Sequence, residues 1–597
     1  MVIPGRVNGD SRRMTVRINI SGDAGEYREM VFEVDTASDM ELALPIQDIV
    51  ELGLEPGGGS NFRLNGASLD RPRYAAYVEW HDGPIPIHVV ETERPAYVGM
   101  GLLWDSYLSG YLFPNGAVTV SRMVHWDDLK RGAAEECSAA RFQTRHNRRL
   151  PVLTDHHAAE REYVLRSARD FDVKFIRLWF TDILGNLKGF AITVDDLEDA
   201  LELGVGFDGA AIEGYTTDAE SDMRAFPDPT TFTLLPWRPR RNAVARIFCD
   251  IRTPRGEAFI GDPRHVLKRN LERLASLGYI YYVGPELEYF YLKDAEVPEP
   301  LDTYGYYDQL SSNPASDLRR DTVLNLAEMG IPVKYSHHVG APSQHEIDLQ
   351  YTDALTMADN VMTARLVIKE LAQQQGVYAS FMPKPFTTSN GSGMHTHQSL
   401  FRGNSNAFYD PDDDLHLSVI GKRFIAGLLR HAPEITLVTN QWVNSYKRLV
   451  PGYEAPVHVS WTVSNRLDLI RVPSYKTGYD TSLRVEYRAP DPACNPYLAF
   501  SVLLAAGLKG IEDEYPLPSP IAGDVMSMSA DERAARGISR LPTSMGEAIG
   551  LAEDSELLRK TLGDFVYETL IRNKKQEWEQ YRSTVTDYEI SRYLPLL

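Results

Sequence analysis

The chain has 597 residues, of which 43% are hydrophobic, 10% aromatic and 24% charged. This composition is typical of a folded protein with about three or four domains, and it excludes a largely disordered chain, a collagen-like fibre and a membrane bundle. The 62 Lys and Arg residues against 83 Asp and Glu residues give a net charge of −21, which argues against an extended nucleic-acid or anionic-membrane surface. We therefore expect no nucleic-acid or membrane partner.

The cysteines and the N-terminal residues indicate the cellular compartment of the protein. Cys137, Cys249 and Cys494 are scattered and form neither a disulfide framework nor a zinc-ligand pattern, so a reducing environment suits them. The start, MVIPGRVNGDSRR, lacks the apolar core of a signal peptide. No apolar run approaches the roughly 18 residues of a membrane-spanning helix. These features predict a cytoplasmic protein.

Residues 1–122 have a β-rich pattern. Segments such as MTVRINI, EMVFEV and PIPIHVV alternate or carry short apolar runs between Gly, Asp and Pro turns, as in a small barrel or sandwich. Residues 123–160 are polar and charged and include RFQTRHNRRLP. We interpret this stretch as a linker with some helix, and contact of its arginines with nucleic acid is the less favoured alternative.

From about residue 161 the pattern changes to mixed α and β. VKFIRLWFTD and LKGFAITV predict paired strands. Helices are predicted to begin at Asp262-Pro263 and Asn495-Pro496, where a capping side chain precedes a proline at the first helical position. Further helices are predicted over 160–170, 352–375 and 556–584, and a long loop over 204–229.

The segment GPELEYFYL, residues 284–292, predicts a strand that carries two acids on one face. Period-two alternation puts Glu286 and Glu288 together and Leu287 and Tyr289 opposite them. The flanking apolar residues suggest burial, where two adjacent carboxylates are unfavourable unless cations offset them. A metal site and a solvated edge of a sheet are both compatible with this segment alone.

The segment NGSGMHTHQSL, residues 390–400, predicts a strand after a glycine-rich bend. His395, His397 and Ser399 alternate onto one face, and the glycines allow close approach to a ligand. Two histidines at this spacing are sometimes only packed core residues. Because neighbouring apolar residues already supply core contacts, we favour histidines that are free for a ligand.

The segment RVEYRAPDP, residues 484–492, places Arg484, Glu486 and Arg488 on one face of a third strand. A surface ladder is the alternative, but the apolar helix that follows favours an inward polar face. Carboxylates with imidazole bind Mg²⁺ or Mn²⁺, and arginines bind phosphate or carboxylate in a bidentate manner. Together the three strands indicate phosphoryl transfer. The chain has no GxxxxGK[ST] segment and is therefore not a P-loop enzyme.

These segments, in this order, resemble the glutamine synthetase family in its bacterial type I form over residues 165–597. The resemblance implies a multidomain α+β fold with a β-grasp domain at 161–258 and a catalytic domain at 259–597 that contains a half-barrel of strands. It also implies a homo-oligomer, a dodecamer of two hexameric rings, with active sites between neighbours. The motifs that carry the resemblance are FDGAAI, GPELEYF, APSQHEID, NGSGMHTHQSL, NSYKRLVPGYEAP and RVEYRAPDPACNPYL.

The resemblance assigns roles to individual residues of this sequence. The matches to its two sites for Mg²⁺ or Mn²⁺ are Glu288 with Glu346, and Glu286 with His395 and Glu486. The matches to its glutamate-binding positions are Asn390, Gly391, Arg448 and Arg488. The matches to its nucleotide-binding positions are Tyr351, His397, Ser399, Arg471 and Arg484.

The remaining matches concern the reaction itself. Arg466 and Arg484 match positions that steady phosphate, and Glu454 matches a flap that shields the intermediate. Asp208 and Asp222 match a neighbour's ammonium site, with Asp208 removing the proton. The implied substrates are glutamate, ammonium and ATP, which react through γ-glutamyl phosphate. A γ-glutamyl ligase for another amine and a weakly active or non-catalytic scaffold are the alternatives.

One position departs from the family pattern. The family reads HHE before a small-residue turn and QHE, whereas this chain reads SHHVGAPSQHEID, with Val339 in place of a metal-binding Glu. Since valine cannot coordinate a cation, we expect the first metal site to be weakened and the activity to be lower. The ammonium-site acids remain, which favours ammonia as the acceptor.

The N-terminal part resembles the retropepsin-like aspartic proteases through MVFEVDTASDMELALP, residues 30–45, and VGMGLLWDSYL, residues 98–108. The resemblance implies that Asp35 is the catalytic carboxylate and that two subunits pair to complete the site. Ala37 stands where that family has glycine, which puts proteolysis in doubt. An active peptidase and a protease-like barrel used for assembly or partner binding both remain open.

Overall fold

The computed structural model describes residues 156–597, apart from 211, 216–220, 310–313, 465 and 474–479, and the backbone of ten strands between residues 2 and 122. The chain divides into two compact units, Met1–Tyr163 and Val164–Leu597. Most of the predicted linker, up to residue 155, lies outside the described residues.

The first unit contains one sheet of ten strands in the order β5-β6-β7-β4-β8-β3-β2-β1-β10-β9, with a further pairing between β2 and β6. The β-rich pattern of residues 1–122 is thus present in the backbone. Asp35, the last residue of β3, lies opposite Gly99 of β8 in a parallel pairing. The ten strands are β1 Val2–Val7, β2 Met14–Ser21, β3 Arg28–Asp35, β4 Leu42–Pro45, β5 Pro56–Leu64, β6 Ala67–Trp80, β7 Gly83–Thr92, β8 Tyr97–Gly99, β9 Ser106–Gly110 and β10 Ala117–Arg122.

The helix α1, His156–Asp170, precedes the first sheet of the second unit. That sheet has the order β12-β11-β16-β14-β13, with β15 paired to β16. The predicted pairing of β11 with β12 is confirmed, and β11 also runs parallel to β16. Its elements are β11 Val173–Thr181, β12 Leu187–Thr193, α2 Leu197–Leu203, β13 Val205–Asp208, β14 Asp222–Pro227, β15 Thr233–Leu234 and β16 Ala243–Arg252.

A larger sheet follows, with the order β18-β19-β17-β22-β26-β25-β24 and three short strands paired at its sides. Its central strand β17 is almost entirely buried, as the flanking apolar residues predict. The strands are β17 Ile280–Leu292, β18 Val333–His338, β19 Gln344–Leu349, β20 Thr352–Asp353, β21 Tyr378–Ser380, β22 Thr396–Arg402, β23 Ser405–Asn406, β24 Trp461–Thr462, β25 Ile470–Arg471 and β26 Val485–Tyr487.

Helices pack against this sheet and supply much of the core. Helices α6 and α8 approach each other closely, because a Cβ added to Gly427 would lie 2.2 Å from the Ala506 carbonyl oxygen and only glycine permits the approach. The helices are α3 Pro263–Ser276, α4 Pro314–Glu328, α5 Ala354–Gln374, α6 Val419–Thr439, α7 Ser445–Arg448, α8 Pro496–Glu512, α9 Ala530–Ala535, α10 Met545–Glu553, α11 Glu556–Leu562, α12 Asp564–Ser583 and α13 Asp587–Tyr593.

The predicted helix starts are confirmed by their caps. Asp262 accepts from the Arg264 backbone N–H at the start of α3, and Asn495 accepts from Tyr497 and Leu498 at the start of α8. A proline occupies the first turn of both helices. The predicted helices over 160–170 and 352–375 correspond to α1 and α5.

Two predictions about local structure were wrong. The helix expected over 556–584 is broken into α11 and α12 at Gly563, whose φ of +81° ends a right-handed helix. The loop expected over 204–229 contains the antiparallel strands β13 and β14. Short strands rich in glycine and acids carry little hydrophobic alternation, so their sequence pattern is weak.

A buried arginine of α3 links the smaller sheet of the second unit to helix α5. The Arg264 guanidinium, only 3% exposed, lies 2.8 Å from Asp228, 2.6 Å from Asp250 and 3.0 Å from Asp359. Asp228 and Asp250 belong to the smaller-sheet region, whereas Asp359 is on α5. Arg264 holds the pKa of Asp228 well below its ordinary value, against the opposing effect of burial.

No described helix is long and apolar enough to cross a membrane.

Candidate active site

Three neighbouring strands of the larger sheet place acidic side chains on one face. Glu346 of β19 lies opposite Glu288 of β17 and opposite His337 of β18. Two residues further along, Asp348 of β19 lies opposite Glu286 of β17. Because alternate residues share a face, these side chains form a compact group, as the alternation in GPELEYFYL predicts.

The same face continues onto β22 and β26. The Glu286 N–H donates to the His395 carbonyl across 2.9 Å, which sets the two side chains beside each other. His397 lies opposite Glu486, and Glu486 lies opposite Arg471. The carboxylates, imidazoles and guanidiniums that were predicted from three separate segments therefore come together.

Glu286 lies between the two histidines. His395 Nδ1 is 2.9 Å from Glu286 Oε2, and His397 Nε2 is 2.8 Å from Glu286 Oε1. Arg484 Nε donates to His397 Nδ1 across 3.2 Å, which leaves the proton of a neutral His397 on Nε2, where it donates to Glu286. Burial raises the pKa of Glu286, but His397 and His395 more than offset it, so the pKa lies well below its ordinary value.

Glu486 is fully buried and is held by two arginines. Arg471 Nε donates to Glu486 Oε2 across 2.6 Å, and Arg488 donates to Oε1. Burial raises the pKa of Glu486, but Arg488 and the nearby histidines lower it to about 2. Glu486 is therefore an anion, as a metal ligand has to be.

Glu346 and Asp348 have the opposite electrostatic character. Burial, followed by repulsion from Glu288 and Glu286, raises the pKa of Glu346 well above its ordinary value. Burial and Glu286 raise the pKa of Asp348 to about 6. Carboxylates that repel one another in an interior are stabilised when a cation binds between them.

These donors fit divalent cations. Glu286, His397 and Glu486 bring ligand atoms within 4.8 Å of one another, and so do His337, Glu346 and Asp348. Both nitrogens of a neutral His397 are engaged by Arg484 and Glu286, so His397 orients Glu286 and does not itself bind the cation. Asp348 Oδ1 is buried and has no hydrogen-bond partner. Such an unpaired acceptor among carboxylates and imidazoles indicates a place for a cation.

Comparison with known proteins assigns the family. A model of the glutamine synthetase catalytic domain matches residues 260–593, and a model of the glutamine synthetase β-grasp domain matches residues 172–254. The chain belongs to the glutamine synthetase family. The resemblance of residues 165–597 to this family is thereby confirmed, with a β-grasp domain before a catalytic domain.

Similar proteins cover most of the chain. A glutamine synthetase of Mycolicibacterium smegmatis is 53% identical over 443 residues, which are 73% of this chain and 99% of that protein. A glutamine synthetase of Methanosarcina mazei is 48% identical over 441 residues, which are 73% of this chain and 98% of that protein. Among solved structures, a GmaS/ADP complex gives a TM-score of 0.66 at 31% identity and covers 72% of this chain and 99% of its own.

Val339, where the chain departs from the glutamine synthetase pattern, is buried beside the acidic face. Val339 is 2% exposed, and its N–H donates to the Gln344 carbonyl across 2.8 Å. Gln344 Nε2 in turn donates to Glu288 Oε2 across 3.4 Å, and the same oxygen accepts from the Gly393 N–H at 2.5 Å. Val339 therefore adds apolar surface, not a ligand, beside the Glu288 end of the acidic face.

The predicted glutamate-binding residues lie around the glycine-rich bend. Arg448 is 2% exposed, and its guanidinium donates to the carbonyls of Ala489 and Arg488 at 2.6 and 3.1 Å. A Cβ at Gly391 would lie 3.1 Å from the Arg448 side chain, and one at Gly340 would lie 3.3 Å from Asn390 Nδ2. Arg448 thus braces the backbone between the bend and Arg488.

The predicted nucleotide-binding residues are on or beside β22. Ser399 is buried and pairs with Tyr282, whose ring packs edge-on against Tyr351 at 5.9 Å. Tyr351 itself is exposed. Arg484 contacts His397, and Arg471 contacts Glu486.

The predicted reaction residues are more exposed. Asp208 and Asp222 lie directly opposite each other at the ends of β13 and β14, and both are exposed. Glu454, with a φ of +38°, accepts from the Tyr306 hydroxyl across 2.9 Å. Arg466 is exposed and is one of the cations that lower the pKa of His337, after burial and Arg319.

Sequence reasoning missed the polar residues of SHHVGAPSQHEID other than Glu346. Alternation through QHEID would have placed Asp348 on the face of Glu346. His338 and His345 form a separate buried group with Asp302, but Arg319 donates to His345 Nδ1 across 2.8 Å. A neutral His345 therefore keeps its proton on Nε2, and that atom does not bind a cation.

Proposed function

We propose that this protein forms glutamine from glutamate and ammonia with hydrolysis of ATP, through γ-glutamyl phosphate. The observation that carries the proposal is the convergence of Glu286, Glu346, Glu486 and two histidines on one face of a sheet in a chain of the glutamine synthetase family. The identity of about half over most of the chain supports the same activity.

Two divalent cations, Mg²⁺ or Mn²⁺, belong to this proposal. Glu286, His395 and Glu486 would hold one, and Glu288 and Glu346 would contribute to the other. Bound cations neutralise phosphate charge and align the phosphoryl group. The protein side chains orient this arrangement, because Arg471 and Arg488 fix Glu486 while His397 fixes Glu286.

In the first step the γ-phosphoryl group of ATP passes to a γ-carboxylate oxygen of glutamate, and ADP leaves. His397, Ser399, Arg471, Arg484 and Tyr351 would border the nucleotide, and Arg466 would steady the transferred phosphoryl group. Asn390, Gly391, Arg448 and Arg488 would hold glutamate. Phosphorylation turns a poor acyl donor into one with a good leaving group, and positioning with charge neutralisation supplies the catalysis.

In the second step ammonium loses a proton to Asp208, and ammonia attacks the acyl carbon. The bond from that carbon to the phosphate oxygen breaks, and the proton that the new amide nitrogen loses leaves with the phosphate. The exposed pair of Asp208 and Asp222 suits an acidic pocket completed by a neighbouring subunit. We therefore propose the two-ring dodecamer of this family as the assembly. Glu454 would cover the intermediate and exclude water.

Glutamate-dependent ATP turnover with ammonium, measured with Mg²⁺ and with Mn²⁺, tests the proposal. We expect glutamine and phosphate in equal amounts. If methylamine or another amine supports faster phosphate release than ammonium, the protein is a γ-glutamyl ligase for that amine. If the full chain shows no turnover with any amine while Val339→Glu does, the protein is a scaffold and the proposal fails.

For the N-terminal part we propose a retropepsin-like domain, either an active peptidase or a partner-binding module. The parallel pairing that puts Asp35 opposite Gly99 supports it, because it joins the two segments that carry the resemblance. Peptide cleavage and self-processing by the full chain, compared with Asp35→Asn, test the peptidase. Equal cleavage by both would rule out the peptidase.

The buried free thiols of Cys249 and Cys494 suit the cytoplasmic location that we also propose.

A further inference from the structure

The valine that interrupts the family's metal motif lies on the acidic face. Val339 pairs with Gln344 one residue beyond the end of β18, so alternation places it on the side of His337. The family pattern has a carboxylate at this position, next to the Glu288–Glu346 pair. The first cation site therefore lacks its third carboxylate on the Val339 side.

On the other side of Glu346 the structure offers replacement donors. Asp348 follows Glu346 by two residues on β19, is 4% exposed, and its Oδ1 has no hydrogen-bond partner. His337 lies opposite Glu346 on β18, is 8% exposed, and its Nδ1 is likewise without a partner. One ligand atom from each of these three residues lies within 4.8 Å of the others.

The spacing between His337 and Glu346 suits a shared ion better than a direct hydrogen bond. His337 Nε2 is 3.7 Å from Glu346 Oε2, which is beyond hydrogen-bond distance. Two ligands on adjacent positions of one cation lie about 3 Å apart when each bond is about 2.1 Å. A small inward movement of these side chains would complete such a geometry.

The imidazole of His337 is held in place by stacking. Its ring lies parallel to that of Tyr307, with the centroids 4.8 Å apart and the planes at 20°. Tyr306 stacks on it at 6.5 Å. Aromatic contacts fix the ring plane while the nitrogens keep their lone pair and proton for other partners, as an oriented metal ligand requires.

We propose that Asp348 and His337 join Glu346 and Glu288 around the first divalent cation, so that Asp348 replaces the carboxylate missing at Val339. This inference deepens the proposed function and rests on it for the need for two cations. His337 adds an imidazole nitrogen to the carboxylate oxygens, and Mn²⁺ accepts such a donor more readily than Mg²⁺, which prefers oxygen ligands.

Equilibrium binding of Mn²⁺ to the metal-stripped full chain tests the proposal without reference to activity. Free Mn²⁺ is followed by electron paramagnetic resonance, and we expect two ions per subunit. Asp348→Asn and His337→Gln each weaken one ion by at least about tenfold. Glu486→Gln weakens the other ion. The control Asp317→Asn removes an exposed carboxylate from α4 and leaves both ions unchanged.

A second substitution distinguishes ligation from a general structural effect. Adding Val339→Glu to Asp348→Asn restores a third carboxylate next to Glu346 and is expected to restore the second ion. Circular dichroism confirms folding of each variant, and His337→Gln carries the test if Asp348→Asn does not fold. Native-like binding of two ions by both single variants would overturn the proposal, as would a native chain whose only ion depends on Glu486.

The two proposals fail in different ways. If the relocated site is wrong, Asp348→Asn and His337→Gln keep both ions while the native chain still makes glutamine. If the proposed function is wrong, the native chain binds two ions that depend on these residues but shows no glutamate-dependent ATP turnover. Mn²⁺ and Mg²⁺ titrations of the native chain then show whether the imidazole sets the metal preference.

Discussion

Arg471 Nε donates to Glu486 Oε2 across 2.6 Å, and this carboxylate is completely buried. Arg488 holds the other oxygen, so Glu486 is an anion balanced by two cations on one side of the proposed metal site. Arg471→Gln removes one of these cations and leaves the buried charge undercompensated. We expect a loss of about 2 kcal/mol or more in the free energy of unfolding, measured by urea denaturation.

The double variant Arg471→Gln/Glu486→Gln controls for this effect. It removes the charge together with its partner, so we expect it to regain much of the stability lost by the single variant. Arg471→Lys keeps the positive charge but loses the Nε donor, and it should fall between the two. Equal stability of native chain and Arg471→Gln would contradict the role of this ion pair.

The hydrogen bond from Tyr306 to Glu454 is expected to keep the acyl phosphate from being lost to water between the two reaction steps. Tyr306→Phe removes the donor that holds the proposed flap residue, which admits water to the acyl phosphate. We expect more phosphate released than glutamine formed, whereas the native chain gives equal amounts. Because the contact is near the surface, the free energy of unfolding should change by less than about 1 kcal/mol. Coupled assays of phosphate and glutamine measure the ratio.

Tyr307→Phe is the matched control for Tyr306→Phe. Tyr307 stacks on the same imidazole, His337, and its substitution leaves the hydroxyl bonded to Glu454 in place. The ratio of phosphate to glutamine should therefore stay at the native value in Tyr307→Phe. A native ratio in Tyr306→Phe as well would show that this hydrogen bond does not hold the flap.

Asp262 gives a prediction about pH. It is 1% exposed, and burial followed by repulsion from Asp250 raises its pKa to about 7. Between its unfolded pKa near 4 and pH 7, the unfolded chain ionises Asp262 while the folded chain keeps it protonated. The folded state thus loses stability as pH rises through this window, by about 2–3 kcal/mol between pH 5 and 7.

Asp262→Asn abolishes this titration. The variant gains stability relative to the native chain as pH rises from 5 to 7, although it loses the acceptor for the Ile251 N–H at a constant cost of about 1 kcal/mol. Asp228→Asn is the control, because the pKa of Asp228 is lowered and its contribution is lost only below about pH 4. Thermal unfolding across this range measures both differences, and a constant Asp262→Asn difference would refute the prediction.

Replacement by alanine is expected to have opposite effects on stability at Gly563, between α11 and α12, and at Gly550, inside α10. Gly563 has a φ of +81°, so Gly563→Ala is strained and should lower the free energy of unfolding by about 1 kcal/mol. Gly550 lies inside α10 with no atom within 4 Å of an added Cβ, so Gly550→Ala should raise it by about 0.5–1 kcal/mol. Chemical denaturation of both variants measures the difference, and a stabilising Gly563→Ala would be inconsistent with this geometry.

Local chemistry made several parts of the fold predictable. The caps at Asp262 and Asn495 identified two helix starts because a side-chain acceptor next to proline satisfies the first backbone donors. Alternation identified the shared face of Glu286 and Glu288, since a strand turns successive side chains to opposite sides. The strands at Asp208 and Asp222 were missed, because such short segments carry too little pattern.

The sequence by itself determined the family, the donor residues on each strand and the missing carboxylate at Val339, since these depend on residue identity and on period-two geometry. Only the tertiary structure decided which strands are neighbours. The register of β18, β19 and β17 puts His337, Glu346 and Glu288 in one row and Asp348 beside Glu286 in the next. Contacts between residues distant in the chain arise from packing of the whole sheet, and no local pattern encodes them.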